Sequence, residues 1–151
     1  MALTYSKLSS NFSKVKDLDV KALGNFIGGK SKDKIDSNTF QNGCAIRLSY
    51  VFNYSGVPIS SSDGAVSSGA DKNLYRVTDM VKFIKKHIGR TPLSGTKASD
   101  FTGKKGIIIF SDCQWSNATG HVDLFNGTKV ESKKGNDYFA PCNAETLYTM
   151  K

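Results

Sequence analysis

The sequence predicts an α+β fold, with N-terminal helices packed on a C-terminal antiparallel sheet in one domain over residues 1–151. Three observations predict it. Apolar residues recur at helical spacing through the first half of the chain. The last third changes to a continuous apolar run, Gly106-Ile-Ile-Ile-Phe110, and an alternating one, Gly120-His-Val-Asp-Leu-Phe125. Asn126-Gly127 then marks a hairpin. The 151 residues are 38% hydrophobic and 23% charged, enough to bury one core.

Taken in order, Leu8, Phe12, Val15, Leu18 and Leu23 give Tyr5–Leu23 a helical stripe. Gly24-Asn-Phe-Ile-Gly-Gly-Lys-Ser31 reads as a loop. Gly24 and Gly29-Lys30-Ser31 meet the spacing of a phosphate-binding loop, but no buried strand precedes them, so a structural loop is the better reading. A second helix covers 44–56: Ala45, Leu48, Val51 and Phe52 share a face, and Gly56 with Pro58 stops it. Cys44 falls in its first turn. Ile59–Gly69 is serine- and glycine-rich and reads as irregular. A third helix is expected over Asp79–His87, capped by Thr78, stopped at Gly89 and buried along Met80, Val81, Ile84 and Ile88. The alternating strand places His121, Asp123 and Phe125 on one face, with Val122 and Leu124 on the other. Thr128–Ser132 is the expected returning strand, and Thr146-Leu-Tyr-Thr-Met150 a closing one.

Composition excludes several classes. No apolar run approaches the ~20 residues of a membrane span, and the N-terminus lacks the layout of a cleaved signal peptide, so synthesis in the cytoplasm is expected. Lys and Arg number 21 against 13 Asp and Glu, a net charge of +8, which draws the chain toward polyanions. The short clusters Lys30–Lys34, Lys82–Lys86 and Lys133–Lys134 come with no nucleic-acid motif. Cys44, Cys113 and Cys142 are neither a disulfide framework nor a zinc site, so no metal and no cofactor is expected.

The chemistry then rests on a thiol and an imidazole. A helix N-terminus favours thiolate over thiol, and its backbone N–H groups can hold an oxyanion. Cys44 has that placement, next to the polar residues Gln41, Asn42 and Gly43. His121 starts a strand after the polar stretch Trp115–Gly120 and can relay a proton between Cys44 and a leaving amine. His87 ends a Lys-Lys-His helix turn and is expected to face solvent. Packing is the simplest role for Cys113 and Cys142, and a bridge between them after export is allowed.

Helix-borne cysteine followed by strand-borne histidine resembles the papain-like cell-wall amidases. Phe40-Gln-Asn-Gly-Cys-Ala-Ile-Arg-Leu-Ser-Tyr50, Ser68-Gly-Ala-Asp71, Tyr75-Arg-Val-Thr-Asp-Met80, Gly103-Lys-Lys-Gly-Ile-Ile108 and Trp115-Ser-Asn-Ala-Thr-Gly-His-Val122 are similar, in that order, to the fourth family of type VI secretion amidase effectors. The resemblance implies a papain-like fold and an antibacterial toxin secreted into a rival's periplasm by the type VI machinery. It implies hydrolysis of the amide between D-glutamate and meso-diaminopimelate in peptidoglycan through a Cys44 acyl-enzyme. A cognate immunity protein is implied as partner, with no role for nucleic acid or membrane.

The resemblance also implies a third catalytic residue, an acid on the second hairpin strand, and here the chain departs from the pattern. A two-residue turn at Asn126-Gly127 would pair His121 with Ser132, while a bulged turn would bring Glu131 opposite it. Asp123 shares the strand face of His121 and needs no register assumption, which places it first of the three. Two other readings compete with the amidase. One keeps the fold for a cysteine peptidase or acyltransferase on another substrate; the other is a basic wall- or nucleic-acid-binding module in which Cys44 and His121 are inert.

Overall fold

The computed structural model describes residues 3–28, 32, 35, 43–64, 72–88, 91–114 and 120–151. Among the described residues, the helices α1 (Tyr5–Phe12), α2 (Val20–Ile27), α3 (Cys44–Tyr54) and α4 (Val77–Ile88) precede four strands. The strands are β1 (Leu93–Gly95), β2 (Lys105–Cys113), β3 (His121–Asn126) and β4 (Cys142–Thr149). All pairs are antiparallel, in the order β1-β4-β2-β3. This is the expected α+β arrangement, and the short β1 is an element the sequence reading missed.

The first expected helix is in fact two. Residues 13–17 turn after α1, and Asp19 in extended conformation caps α2, its carboxylate accepting the Ala22 N–H at 2.8 Å. Both helices bury their apolar residues, Leu8 and Phe12 from α1 and Leu23 from α2, in the same core. The expected loop at Gly24 is likewise corrected, because α2 runs through it to Ile27. A β-carbon at Gly24 would lie 3.1 Å from Ile35 Cδ1, so close helix packing is what this glycine provides. Gly29, Lys30 and Ser31 lie outside the described residues.

Helix α3 is the central one. Ser49 ties it to the segment before α4: its hydroxyl accepts the Leu74 N–H at 2.8 Å and donates within α3 to the Ala45 carbonyl at 2.8 Å. Helix α4 starts two residues before the expected Asp79, so Thr78 lies inside it rather than capping it. Its buried residues are Met80, Phe83 and Ile84, with Val81 and Ile88 only partly covered. Phe83 enters because α4 packs against Phe52, ring to ring at 4.9 Å. Gly89 and residues 65–69 of the expected irregular loop lie outside the described residues; Ser61–Asp63 form a single 3₁₀ turn.

The sheet is buried on both faces. Ile107, Ile109, Val122, Leu124 and Tyr148 meet the helices, whereas Phe101, Ile108, Phe110, Phe125, Val130 and Leu147 form a smaller core opposite. Each such side chain contributes about 1.5–3 kcal/mol on burial. Strand β2 is central, pairing Ile108 with Asp123 on one side and Leu147 on the other. The closing strand begins at Cys142, four residues ahead of the expected Thr146. Its first residue is disulfide-bonded to Cys113, its partner across the sheet, with the two Cα atoms 4.0 Å apart. Packing alone is therefore not the role of these cysteines.

The hairpin differs most from expectation. Thr128–Ser132 is no strand; only Val130 bridges Phe125. The Asn126 side-chain carbonyl accepts the N–H groups of Thr128 and Lys129 and the Thr128 hydroxyl, at 2.9–3.0 Å. This local turn widens the connection, so neither of the two expected registers forms. Asp123, not His121, then comes level with Ser132.

Candidate active site

Cys44 is the first residue of α3, behind Gly43, and the Arg47 N–H closes the first helical turn on the Gly43 carbonyl at 2.8 Å. A β-carbon at Gly43 would meet the Arg47 guanidinium at 3.0 Å, so glycine here lets that cation fold back beside the helix start. Arg47 is anchored by a 2.7 Å hydrogen bond to the Leu18 carbonyl. The polar neighbours of Cys44 suggested an open position, but the side chain is only 2% exposed. Gln41 and Asn42 lie outside the described residues, as do residues 115–119 of the stretch before His121.

His121 opens β3 and is hydrogen-bonded to Cys44. Its Nε2 lies 2.6 Å from Asp123 Oδ2, which leaves Nδ1 as the ring nitrogen toward the thiol. The other oxygen of Asp123 accepts the backbone N–H of Leu124 at 2.8 Å and of Ser132 at 3.3 Å. The structure thus joins Cys44, His121 and Asp123 in one buried relay. Ser132 serves it through its backbone. Glu131 does not join it: its carboxylate accepts the Tyr5 hydroxyl and the Ser9 hydroxyl, the latter at 3.0 Å, and pins α1 to the turn. His87 lies exposed at the end of α4, against Phe83.

Burial works against charge on both members of the thiol–imidazole pair, yet their partners outweigh it. The hydrogen bond and attraction of His121, the Val122 N–H and the Arg47 guanidinium bring the Cys44 thiol below its ordinary value. Hydrogen bonds to Asp123 and Cys44 push His121 up to about 9. Both shifts run in the direction that favours a thiolate facing an imidazolium. The thiolate sits where the α3 amides point outward, so a carbonyl oxygen brought to Sγ finds N–H donors beside it.

Sequence reading missed two neighbours. Tyr138, in the 3₁₀ turn Gly135–Phe139, stacks on His121 with ring centroids 4.0 Å apart and planes 9° apart. Arg47 supplies positive charge to the thiolate. The Arg47 position one turn after Cys44 was a readable signal; nothing local marked Tyr138. Among the described residues no group of three or more His, Cys, Asp and Glu side chains is placed to hold a metal, and no helix is long and apolar enough to cross a membrane.

Residues 40–148 match the family model described as type VI secretion system (T6SS), amidase effector protein 4. No curated protein matches the chain. Among solved structures, the chain is similar to the type VI effector–immunity complex Tae4–Tai4 from Salmonella Typhimurium, at 37% identity and a TM-score of 0.90 over 100% of both chains. The corresponding complex from Enterobacter cloacae is 34% identical, with a TM-score of 0.85 over 100% of both chains. The Enterobacter cloacae effector Tae4 alone is 33% identical, with a TM-score of 0.87 over 100% of this chain and 98% of that one.

Proposed function

The chain belongs to the type VI secretion amidase effector 4 family, and from that premise we propose that Cys44, His121 and Asp123 carry out its hydrolysis of peptidoglycan. The observation that carries the reading is the buried relay from Asp123 through His121 to a thiol at a helix N-terminus. The bond cut is the amide joining D-glutamate to meso-diaminopimelate in the stem peptide.

The Cys44 thiolate attacks the D-glutamyl carbonyl carbon, forming a C–S bond while the oxyanion rests against the first-turn amides of α3. His121 gives its proton to the departing amine nitrogen as the C–N bond breaks, which leaves a thioester and a neutral imidazole. The imidazole then takes a proton from water. The hydroxide formed attacks the thioester, and Sγ departs as thiolate facing the restored imidazolium. Asp123 keeps the ring oriented and stabilises its charged form throughout.

The effector is made in the producing cell's cytoplasm and carried by the secretion machinery to a rival's periplasm, where the wall is reached. An immunity protein, as in the complexes of its relatives, blocks the cleft in kin cells.

Purified sacculi digested with the protein, with mass spectrometry of the fragments, test this. The expected products end in a free D-glutamate carboxyl and a free diaminopimelate amine. Cys44→Ala yields none of them while still unfolding cooperatively, because only a small side chain is lost. Digestion by that folded variant overturns the thiol mechanism. Fragments cut at another bond move the protein to a different peptidase specificity.

A further inference from the structure

We propose that Tyr138 is a positioning residue that holds His121 in its charged, thiol-facing state by stacking its ring on the imidazolium. This rests on the reading of His121 as the catalytic base and adds a residue to it. The contact is a parallel stack with centroids 4.0 Å apart and an angle of 9°. A stack this close fixes the rotation of the imidazole about its Cβ–Cγ bond. Asp123 and Cys44 hold the two ring nitrogens at their edges, and the stack adds a contact across the whole ring face.

The electronic preference has a sign. An aromatic face is electron-rich and attracts a cation more than a neutral ring. Tyr138 therefore favours imidazolium over imidazole, in the same direction as the Asp123 carboxylate. Among the described residues, the charged and titratable groups around His121 come from α3, β3 and the 3₁₀ turn. Helix α3 contributes the Cys44 thiol and, acting on it, the Arg47 guanidinium; β3 contributes Asp123. The 3₁₀ turn contributes Tyr138, whose ring carries Lys134 Nζ 5.6 Å from its centroid. Glu131 lies one step further out and is engaged by Tyr5.

Tyr138 is firmly mounted. Asn136 accepts the Val130 N–H at 3.0 Å and donates to the Thr128 carbonyl at 3.1 Å. Phe139 packs on Phe110 at 5.0 Å. Beyond the turn, the Pro141 carbonyl accepts the Gln114 N–H at 2.9 Å, and Cys142 is bridged to Cys113. A ring carried on so many independent ties is rigid enough to define its neighbour's orientation.

The test compares Tyr138→Leu, which keeps apolar bulk, with Tyr138→Phe, which keeps the aromatic face. NMR titration of the His121 ring and the pH profile of stem-peptide cleavage are read for both. In Tyr138→Leu the His121 titration and the alkaline limb of the rate should move down together by about 0.5–1 pH unit. Turnover should fall about 5–10-fold, with KM little changed, and Tyr138→Phe should restore both readouts. An unmoved His121 titration in folded Tyr138→Leu overturns the proposal, and so does a Tyr138→Phe variant as impaired as Tyr138→Leu. The NMR titration reads the stack whether or not peptidoglycan is the substrate, so failure of the functional reading would be seen separately.

Discussion

Asp123 has both carboxylate oxygens engaged, one by the His121 ring at 2.6 Å and one by two backbone N–H groups. An acid held this way cannot swing off the imidazole, which is what a third catalytic member requires. Asp123→Asn should lower turnover on a defined stem peptide by roughly 10²-fold or more. Ser132→Ala leaves its backbone N–H in place and should stay within about fivefold of the parent. Glu131→Gln should act on stability, at about 1–3 kcal/mol, because it weakens the acceptor for Tyr5 and Ser9. Kinetics and melting of the three variants, measured side by side, decide it; a crippled Glu131→Gln that melts like the parent would remove Asp123 from the role. Cys44 and His121 were legible because helix-start and strand-start signals are local. Asp123 was legible from the period of two, although two strand neighbours on one face begin roughly 6–7 Å apart at their bases. What closes that gap is the pull of the Leu124 and Ser132 amides on the far oxygen, which depends on a hairpin register the sequence does not state. Tyr138 was invisible for the same reason, since its place over His121 is set by the tertiary path of a 3₁₀ turn.

At the scale of elements, β4 carries an unusual group. Glu145 pairs with Phe110 and Gly95 across the sheet, is 2% exposed, and neither side-chain oxygen has a hydrogen-bond partner. Burial, with the Asp100 carboxylate nearby, pushes it up to about 7. The sign follows from proton uptake. Between the ordinary value of 4.5 and about 7, the folded chain holds a proton that the unfolded chain has lost, so stability falls as pH rises through that window. Above it the ionised carboxylate costs on the order of 1–3 kcal/mol. Glu145→Gln should therefore raise the melting temperature at pH 8 and lose that advantage at pH 4. Equal gains at both pH values would show that the charge is not the cause. Such a residue is unreadable in a strand of mixed polarity, where it looks like an outward-facing position. The α3 and α4 segments were legible from their helical apolar spacing, β2 from a continuous apolar run that suits a strand covered on both faces, and β3 from its alternation. The α1–α2 break and the four-residue hairpin turn were not, although Asp19 and Asn126 carry the capping and turn chemistry that explains them afterwards.

Over the whole molecule, the +8 charge is the property that a polymeric, anionic wall can sense at a distance. Digestion of intact sacculi should slow at least about fivefold between roughly 0.05 and 0.5 M salt, while cleavage of a short soluble stem peptide changes less than about twofold. Superimposable salt curves for the two substrates would show that the basic surface has no steering role. The same global view shows how the sheet ends. One border is β1, only three residues long. The other is the outer side of β3, where Asn126 N–H reaches Lys129, the Leu124 carbonyl receives Glu131 N–H, and Val122 N–H is taken by the Cys44 sulfur. A short β1 and an already engaged β3 edge both disfavour edge-to-edge pairing with a second chain. The Cys44 sulfur is thus also a cap on the outer edge of β3, so one side chain both faces His121 and closes the border of the sheet.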